Sequence, residues 1–349
     1  MLHRRNTKPI YVGGVQIGGS DNVVIQSMTN TKTTDIEATV GQINSLAAAG
    51  CDIVRLAAPT LEAAQCFGEI RRRCDVPLVA DIHFDYKIAL KCIEEGADKI
   101  RINPGNIGSE EGVRQVAQAA KKRHIPIRIG VNSGSMSKSA VEKYGNTPEA
   151  MVESAFEHIR LLNKYDFDDI AVSLKASDVV RTVEAYRLMS EKCSYPLHLG
   201  VTEAGTLMSG RMKSAVGIGA LLLDGIGDTI RVSLTADPVE EVYAAKELLS
   251  ITGIRREGIE FVSCPSCGRC KIDLISVATQ VENMLKDVHK NIKVAVMGCA
   301  VNGPGEAKDA DVGIAGGDGC GLIFRKGEII RKVREDTLAE ELMKEIQQL

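Results

Sequence analysis

The sequence predicts a TIM (β/α)8 barrel followed by a smaller α/β domain. Short β-branched segments alternate eight times with helical segments from residue 23 to about residue 250, which is typical of this barrel. The length of 349 residues leaves room for a second domain of about a hundred residues. An open doubly wound sheet fits less well, because eight units would make it unusually wide and no G-x-G-x-x-G follows the first strand.

The eight barrel strands are predicted from short runs rich in Val and Ile. They are 23–28, 52–57, 77–82, 98–104, 125–131, 169–175, 197–203 and 228–234. The amphipathic stretches between and after them predict helices at 35–49, 61–73, 86–95, 110–122, 147–164, 178–192, 209–223 and 237–250. We therefore place the first domain at 1–252 and the second at 253–349.

The second domain has the mixed pattern of a small α/β fold. Its predicted strands lie near 259–263, 292–297, 311–315 and 321–325, and its predicted helices are 272–286 and 336–348. The clustered cysteines of the chain fall in this domain. It is therefore the part of the chain in which a metal site is expected.

Composition excludes some classes of function. The net charge of −3, the absence of Trp and an aromatic content of 4% argue against a surface that binds nucleic acid. No apolar run is long enough to span a bilayer, and the N-terminus lacks the apolar core of a signal peptide. We expect a cytoplasmic protein without membrane contact, whose ten cysteines are not used for disulfides.

Polar side chains recur at matching positions near the ends of the predicted strands. Because chemistry in a TIM barrel lies at the carboxyl ends of the strands, these side chains are expected to share one rim. They are Gln26, Arg55, Asp81, His83, Arg101, Asn103, Arg128, Asn132, Ser173, Lys175, Glu203, Arg231 and Ser233. Five of them are cations, which repel one another unless a polyanion binds between them. The expected ligand is a small molecule with two phosphates or a diphosphate.

The uncharged and acidic members of this set allow more than one role. His83 fits a hydrogen-bonded structural histidine as well as a catalytic one. Glu203 is an isolated carboxylate among cations, which makes it a candidate acid–base or hydroxyl-binding group. Asp81 is expected to hold either a cation or a substrate hydroxyl.

A cysteine cluster in the second domain has the spacing of a metal site. Cys264 and Cys267 form a C-x2-C pair, and Cys299 offers a third thiolate. The fourth ligand could be Cys270 or Glu306. Four thiolates would suit zinc or a 4Fe–4S cluster equally well, whereas a carboxylate is a weaker, exchangeable ligand for iron. A structural zinc would not explain the five cations predicted at the barrel rim, so we favour a catalytic redox site.

Several motifs together resemble the 4-hydroxy-3-methylbut-2-enyl diphosphate synthase family of the methylerythritol phosphate pathway. In the second domain these are Cys264-Pro-Ser-Cys267-Gly-Arg and Gly298-Cys-Ala-Val-Asn-Gly-Pro-Gly-Glu306-Ala. In the barrel they are Val24-Ile-Gln-Ser-Met-Thr-Asn30, Ala80-Asp-Ile-His-Phe84, Lys99-Ile-Arg-Ile-Asn-Pro-Gly-Asn106, Arg128-Ile-Gly-Val-Asn132, Ser173-Leu-Lys175, Gly200-Val-Thr-Glu-Ala-Gly205 and Asp228-Thr-Ile-Arg-Val-Ser233. The resemblance covers essentially the whole chain and corresponds to the two-domain bacterial form.

The resemblance implies a reaction and a site. The enzyme would open 2-C-methyl-D-erythritol 2,4-cyclodiphosphate and remove a hydroxyl with two electrons, giving 4-hydroxy-3-methylbut-2-enyl diphosphate. The cations of the barrel rim would bind the diphosphate, helped by Asn103, Asn132 and Ser233, while Glu203 would contact the substrate near the reacting carbons. Ligands of a 4Fe–4S cluster would be Cys264, Cys267, Cys299 and an exchangeable Glu306. Cys270 departs from the expected ligand set and could compete with Glu306 for the fourth iron.

The resemblance also implies partners. A flavodoxin or a ferredoxin would supply the electrons, and the protein would be a homodimer whose active site is shared between subunits. Two other hypotheses compete with this one. A TIM-barrel enzyme of another class, such as an aldolase or a pterin-type transferase, could carry a structural zinc module, or the chain could be an electron-carrier module with a redundant barrel.

Overall fold

The chain divides into two compact units, Met1–Arg255 and Arg256–Leu349. The structure, a computed structural model, describes residues 3–103, 109–255, 258–285, 288, 290–300, 305 and 307–349. None of the helices in these residues has both the length and the apolar character needed to cross a lipid bilayer.

The first unit is the predicted TIM barrel. After a short hairpin of β1 (Ile10–Val12) and β2 (Val15–Ile17), strands and helices alternate along the chain. The strands are β3 (Val24–Met28), β4 (Ile53–Ala57), β5 (Leu78–Asp81), β6 (Lys99–Ile102), β7 (Ile127–Asn132), β8 (Ile170–Lys175), β9 (His198–Leu199) and β10 (Thr229–Ile230). The helices are α1 (Ile36–Ala48), α2 (Leu61–Arg72), α3 (Tyr86–Glu94), α4 (Glu110–Lys122), α5 (Lys138–Tyr144), α6 (Pro148–Asn163), α7 (Val179–Lys192), α8 (Leu207–Leu223) and α9 (Pro238–Ile251).

The eight barrel strands form one parallel sheet in the order β8-β7-β6-β5-β4-β3-β10-β9. A parallel bridge between Val172 and Leu197 brings the two ends of this sheet together. Parallel strands that follow one another require right-handed helical crossovers, so the helices form an outer layer and the apolar faces of strands and helices meet in one large core.

Side-chain caps begin most of the barrel helices. A Ser, Thr or Asp before the first turn accepts a hydrogen bond from a backbone N–H of that turn, which satisfies one of the free donors of a helix end. These caps are Asp35, Thr60, Asp85, Ser109, Ser137, Thr147, Asp178 and Asp237. They explain why helices start directly after the polar loops that follow the strands.

The β1–β2 hairpin closes the amino-terminal end of the barrel. Ile10, Val12 and Ile17 of the hairpin pack against Val24, Ile53, Val79 and Ala171, the first inward-facing residues of β3, β4, β5 and β8. This apolar layer excludes water from the bottom of the barrel. Neither the hairpin nor the short helix α5 was predicted from the sequence pattern.

The last two barrel strands are shorter than predicted. The sequence pattern predicts strands over 197–203 and 228–234, but the parallel ladder includes only two residues in each. Just beyond the ladder, the backbone segments after β9 and β10 approach each other closely. A Cβ on Gly200 would lie 2.9 Å from the carbonyl oxygen of Arg231. Glu203 and Gly205 then adopt positive φ values of 52° and 112°, which turn the chain away from the sheet.

The second unit is a small α/β domain with a mixed five-stranded sheet. Strands β11 (Glu260–Ser263), β12 (Lys293–Met297) and β13 (Val312–Gly317) are parallel, and β14 (Cys320–Arg325) and β15 (Glu328–Arg334) continue the sheet antiparallel. Helices α10 (Leu274–Leu285) and α11 (Leu338–Gln347) pack on one face of the sheet. The edge strand β15 was not predicted, because its sequence, EIIRKVR, does not alternate regularly between charged and apolar residues, and six of its seven residues are exposed.

Candidate active site

Most of the predicted substrate-binding residues line one cavity at the carboxyl ends of the barrel strands. The cavity has a volume of about 150 Å³ and is lined by Arg55, Asp81, His83, Arg101, Arg128, Asn132, Ser173, Lys175, Thr202, Arg231 and Ser233. A larger and more open cavity of about 440 Å³ lies beside Cys320 and Arg334 in the second unit. Its lining includes none of the predicted site residues, so the barrel cavity is the candidate substrate site.

Strand alternation explains why these side chains converge. Successive residues of a strand point to opposite faces, so residues two apart share the barrel interior. Lys99 and Arg101 on β6, and Asn103 directly after this strand, follow this rule, and all three are buried. The intervening Ile100 and Ile102 pack into the apolar core between strands and helices. The polar interior thus comes from every second residue of otherwise apolar strands.

Asp81 is the acidic centre of the cavity. Its Oδ1 accepts a hydrogen bond from Nη1 of Arg101 at 3.0 Å, and its Oδ2 lies 3.7 Å from Nε of Arg55 and 3.5 Å from Nε2 of His83. Burial opposes ionisation of Asp81, but the charges of Arg55 and Arg101 and the hydrogen bond from His83 outweigh it. The pKa of this carboxyl is therefore far below its usual range, and Asp81 orients the cations around it.

Arg128 and Lys175 have no such counter-ion among the described residues. Arg128 is 1% exposed, its Nη1 donates to Oγ of Ser173, and its Nε and Nη2 are buried without a hydrogen-bond partner in the described structure. Lys175 is also buried. Burial first, and then the surrounding cations, lower the pKa of both side chains well below their usual values. Unused buried donors of this kind fit a ligand that brings negative oxygens.

The cavity as a whole carries an excess of positive charge. Arg231, the fifth cation, pairs with Glu241 at 3.2 Å. In the described part of the chain, two carboxylates, those of Asp81 and Glu241, thus face five basic side chains, which leaves an excess of positive charge. Such an excess favours a ligand with two or more negative charges, which is the charge of a diphosphate at neutral pH.

Two glycines make room for the cations. A Cβ on Gly130 would lie 2.5 Å from Nε of Arg101, and one on Gly200 would lie 2.6 Å from Nζ of Lys175. Both distances are too short for real atoms, so a larger residue would displace the charged groups. These positions on β7 and after β9 face the cavity but contribute only space.

Asn103 and Asn132 are connected by the loop that follows β7. Nδ2 of Asn103 donates to the carbonyl oxygen of Ser135 at 3.3 Å, and Oγ of Ser135 accepts from the backbone N–H of Asn132 at 3.3 Å. Asn132 lines the cavity, whereas Asn103 is buried beside this loop and is not part of the lining. Ser135 is a residue of the site region that the sequence analysis missed.

Thr202 lines the cavity where the sequence analysis selected its neighbour Glu203. Glu203 is exposed and lies outside the lining of this cavity, with a positive φ of 52°. Alternation would have found Thr202, because it has the same parity as the inward-facing residues His198 and Gly200. Glu203 was selected in place of Thr202 because of its charge.

A second polar layer lies deeper in the barrel. Of its residues, the sequence pattern placed only Gln26 at the rim, and Gln26 is buried outside the cavity lining. Lys99 is fully buried and its Nζ donates to Oε1 of Gln26 at 3.2 Å. His198 is equally buried, with Nδ1 2.7 Å from Oγ1 of Thr229. Burial, followed by the charge of Arg128, lowers the pKa of Lys99 well below its usual value. This layer separates the cavity from the apolar plug of the barrel.

The cysteine loops of the second unit follow adjacent parallel strands. Cys264 comes directly after β11, and Gly298 and Cys299 come directly after its neighbour β12. The backbone N–H of Gly298 donates to Sγ of Cys264 at 3.1 Å. Because parallel strands end at the same edge of a sheet, the two loops are brought together by the sheet itself.

Cys267 and Cys270 face different environments within the first loop. Cys267 is exposed, and the backbone N–H and guanidinium of Arg269 lower the pKa of its thiol. Sγ of Cys270 instead donates to the carbonyl oxygen of Ile272 at 3.2 Å and packs against the apolar core of the unit. Cys267 is therefore suited to act as a thiolate, whereas the sulfur of Cys270 is engaged by the backbone of its own loop.

The donor set fits a group bound through thiolates. N–H donors to the sulfur atom of Cys267 stabilise the thiolate form that iron and zinc require, and the N–H of Gly298 holds the sulfur of Cys264 in place. Among the residues that the structure describes, no three His, Cys, Asp or Glu side chains converge closely enough to hold a metal ion. The predicted fourth ligand, Glu306, and residues 301–304 lie outside the described residues.

Comparison with known proteins places both units in one family. The GcpE TIM-barrel domain matches residues 7–246, and the GcpE protein C-terminal domain matches residues 260–348. The chain is 60% identical to a 4-hydroxy-3-methylbut-2-en-1-yl diphosphate synthase (flavodoxin) of Clostridium perfringens, over 99% of each chain. It is also 60% identical to a protein of the same name from Shouchella clausii, over 100% of this chain and 95% of the relative.

Solved structures with a similar fold are more distant. The N-acetylneuraminic acid synthetase of Leptospira borgpetersenii superposes with a TM-score of 0.54 at 14% identity, covering 72% of this chain and 91% of that chain. The dihydropteroate synthase of Yersinia pestis superposes with a TM-score of 0.50 at 12% identity, covering 70% of this chain and 97% of that one. At these identities the likeness concerns the barrel fold alone.

The lowered pKa of Lys175 predicts that anion binding takes up protons. Without a ligand, burial and the neighbouring arginines disfavour the ammonium form, whereas a bound anion favours it and raises the pKa. Between the two pKa values, binding of inorganic pyrophosphate should therefore add a proton to Lys175, and the Lys175 contribution to affinity should fall as the pH rises from the lower pKa to the higher one. Calorimetry in buffers of different ionisation enthalpy measures this uptake.

The variant Lys175→Met is the matched control for this measurement, because it removes the titrating amine and leaves the titration of pyrophosphate itself unchanged. The variant should take up fewer protons than the unchanged protein. Equal uptake by the two proteins would contradict the prediction.

Proposed function

The chain belongs to the GcpE family, and from this membership we propose that it is an iron–sulfur oxidoreductase of isoprenoid precursor synthesis. It converts 2-C-methyl-D-erythritol 2,4-cyclodiphosphate into 4-hydroxy-3-methylbut-2-enyl diphosphate. The reaction opens the cyclodiphosphate ring, adds two electrons and two protons, and releases the hydroxyl as water. The observation that carries the proposal is the excess of positive charge in the barrel cavity, which matches a diphosphate.

The barrel cavity is proposed to bind the diphosphate of the substrate. The unused donors of Arg101 and Arg128 and the amine of Lys175 are placed to meet phosphate oxygens. Asp81 would keep Arg55 and Arg101 oriented before the substrate arrives, so that little reorganisation is needed on binding. Asn132, Ser173 and Ser233 add neutral hydrogen-bond donors to the same wall, and Asn103 supports it through the Ser135 loop.

Glu203 and Glu306 are proposed as the catalytic residues. The reaction consumes protons, so a carboxyl group near the reacting carbons has a role as a proton donor. Glu203 directly follows Thr202, which lines the cavity. Its positive φ starts a turn at the rim of the barrel. His83, which is half exposed at the same rim, would line the substrate pocket.

A 4Fe–4S cluster is proposed to be held by Cys264, Cys267, Cys299 and Glu306. When bound, it supplies the two electrons of the reaction. The N–H donors to Cys264 and Cys267 support the assignment of these two thiolates, and the hydrogen bond from Cys270 to Ile272 supports leaving Cys270 out of the set. The proposed domain roles follow: residues 1–252 bind the diphosphate and residues 253–349 hold the cluster.

We further propose the electron donor and the assembly. The relatives from Clostridium perfringens and Shouchella clausii carry flavodoxin in their names, which favours a flavodoxin over a ferredoxin as the donor. The family resemblance suggests a homodimer in which the active site is shared between subunits, and a cytoplasmic location. Sharing would unite two half-sites, namely the phosphate-binding cavity of the barrel and the cysteine loops of the second unit.

The proposed function predicts a brown protein that turns over the cyclodiphosphate. After anaerobic purification, iron and sulfide analysis should give about four irons per chain, and the visible absorption should bleach with dithionite. Reduced flavodoxin should then support formation of 4-hydroxy-3-methylbut-2-enyl diphosphate, identified by mass spectrometry. A colourless protein with stoichiometric zinc would instead indicate a barrel enzyme of another class with a structural metal.

Replacing Glu203 by Gln should nearly abolish turnover while iron and sulfide content stay unchanged. The amide is nearly isosteric but cannot donate a proton as a carboxylic acid does. The control Glu184→Gln changes an exposed carboxylate of α7 and should leave turnover unaffected. If Glu203→Gln retains turnover, the catalytic role of Glu203 is wrong.

Serine substitutions of the cysteines test the proposed ligand set. Cys299→Ser should lose or degrade the cluster, because a hydroxyl is a poor replacement for a thiolate on iron. Cys270→Ser should keep iron and sulfide at the level of the unchanged protein, since its sulfur only donates to Ile272. Cys66→Ser, in α2 of the barrel, serves as the control for cysteine loss as such. The reverse pattern at Cys270 and Cys299 would overturn the assignment.

A further inference from the structure

We infer that Glu241, on helix α9 outside the lining of the cavity, is a positioning residue that fixes Arg231 for the substrate anion. The inference deepens the proposed function and rests on it for the identity of the anion. It assigns to the last helix of the barrel a role in binding, in addition to packing.

Arg231 meets Glu241 through two hydrogen bonds. Its Nε lies 3.2 Å from Oε2 and its Nη2 lies 3.2 Å from Oε1, so one edge of the guanidinium faces both carboxylate oxygens. This paired contact holds the plane of the guanidinium as well as its position. Nη1 has no protein partner among the described residues, and Arg231 lines the cavity. Its second edge is therefore left for a ligand.

Glu241 is itself held by two further donors. Oγ of Ser27, on β3, donates to Oε2 at 2.8 Å, and the backbone N–H of Leu234 donates to Oε1 at 3.1 Å. Glu241 is 4% exposed and Ser27 is fully buried. Each carboxylate oxygen therefore accepts two hydrogen bonds, and the carboxylate has little freedom to move. Strand β3, helix α9 and the segment after β10 together determine where Arg231 points.

Two physical effects of this carboxylate on anion binding have opposite signs. As a negative charge near the cavity it repels an anion, so removal of the charge alone should strengthen binding. As the group that orients Arg231 it favours binding, so its removal should weaken binding. The four short contacts of a buried, immobile carboxylate make orientation the larger effect. The sign of the measured change therefore distinguishes a positioning residue from a mere counter-ion.

The test compares Glu241→Gln with the unchanged holoenzyme. The KM for the cyclodiphosphate and the Kd for inorganic pyrophosphate should both rise about tenfold, as expected for loss of a charged hydrogen bond, while kcat stays within about twofold. Glu240→Gln is the matched control, because the adjacent Glu240 pairs with Arg211 at 2.8 Å and is partly exposed. It should leave both constants unchanged. Unchanged or tighter binding in Glu241→Gln would overturn the inference, as would an equal loss in Glu240→Gln.

A double variant separates positioning from general damage. If Glu241 acts through Arg231, then adding Glu241→Gln to Arg231→Gln should not raise the pyrophosphate Kd further, because only the repulsion by the carboxylate is left to remove. Independent, multiplying losses would contradict that pathway. Ser27→Ala provides a milder variant should Glu241→Gln fail to fold, and it should raise the Kd about threefold; no change would count against the inference. If the unchanged protein does not turn over the cyclodiphosphate, the proposed function fails, yet the pyrophosphate comparison still decides the role of Glu241.

Discussion

Five basic side chains share a cavity of about 150 Å³: those of Arg55, Arg101, Arg128, Lys175 and Arg231. Within the described residues, the carboxylates of Asp81 and Glu241 oppose the mutual repulsion of these cations. Asp81 holds two arginines from inside the cavity, whereas Glu241 holds one from behind. The remaining positive charge is left for a ligand. Burial disfavours the charged forms of these side chains in the free protein, and it lowers the pKa of Arg128 and of Lys175 for that reason. A diphosphate reverses that cost, so binding energy and charge balance favour the same ligand.

The rest of the barrel serves this arrangement. The apolar hairpin plug and the deeper layer of Lys99, Gln26 and His198 close the barrel beneath the cavity, so its electrostatic interactions are less weakened by water. Gly130 and Gly200 give the charged groups space that any side chain would fill. The same crowding is present beside the short strands β9 and β10, where a Cβ on Gly200 would lie 2.9 Å from the carbonyl oxygen of Arg231.

Alternation along apolar strands made most of the barrel site predictable. The five cations occupy strand positions whose side chains point into the barrel, and the structure places all five in one cavity: Arg55, Arg101, Arg128, Lys175 and Arg231. Thr202 obeys the same rule, but the charge of Glu203 beside it was the stronger signal in the sequence. Glu241 could not be found in this way. It belongs to a helix, and only the three-dimensional path of β3, α9 and the segment after β10 brings its carboxylate to Arg231. The edge strand β15 and the hairpin plug were missed because neither has a strand pattern of ordinary length and burial.

The same rule of parallel sheets places the chemistry of both units. In the barrel, the cations lie at the carboxyl ends of the parallel strands, which all meet at one face of the barrel. In the second unit, Cys264 follows β11 and Cys299 follows β12, which are parallel neighbours, so their loops are adjacent for the same reason. A short-range signal such as C-x2-C identifies only one of these loops. The pairing of Cys264 with a residue more than thirty positions away depends on the sheet, as the hydrogen bond from Gly298 to Cys264 shows. Local spacing thus identifies the ligand type, and strand order determines which ligands can act together.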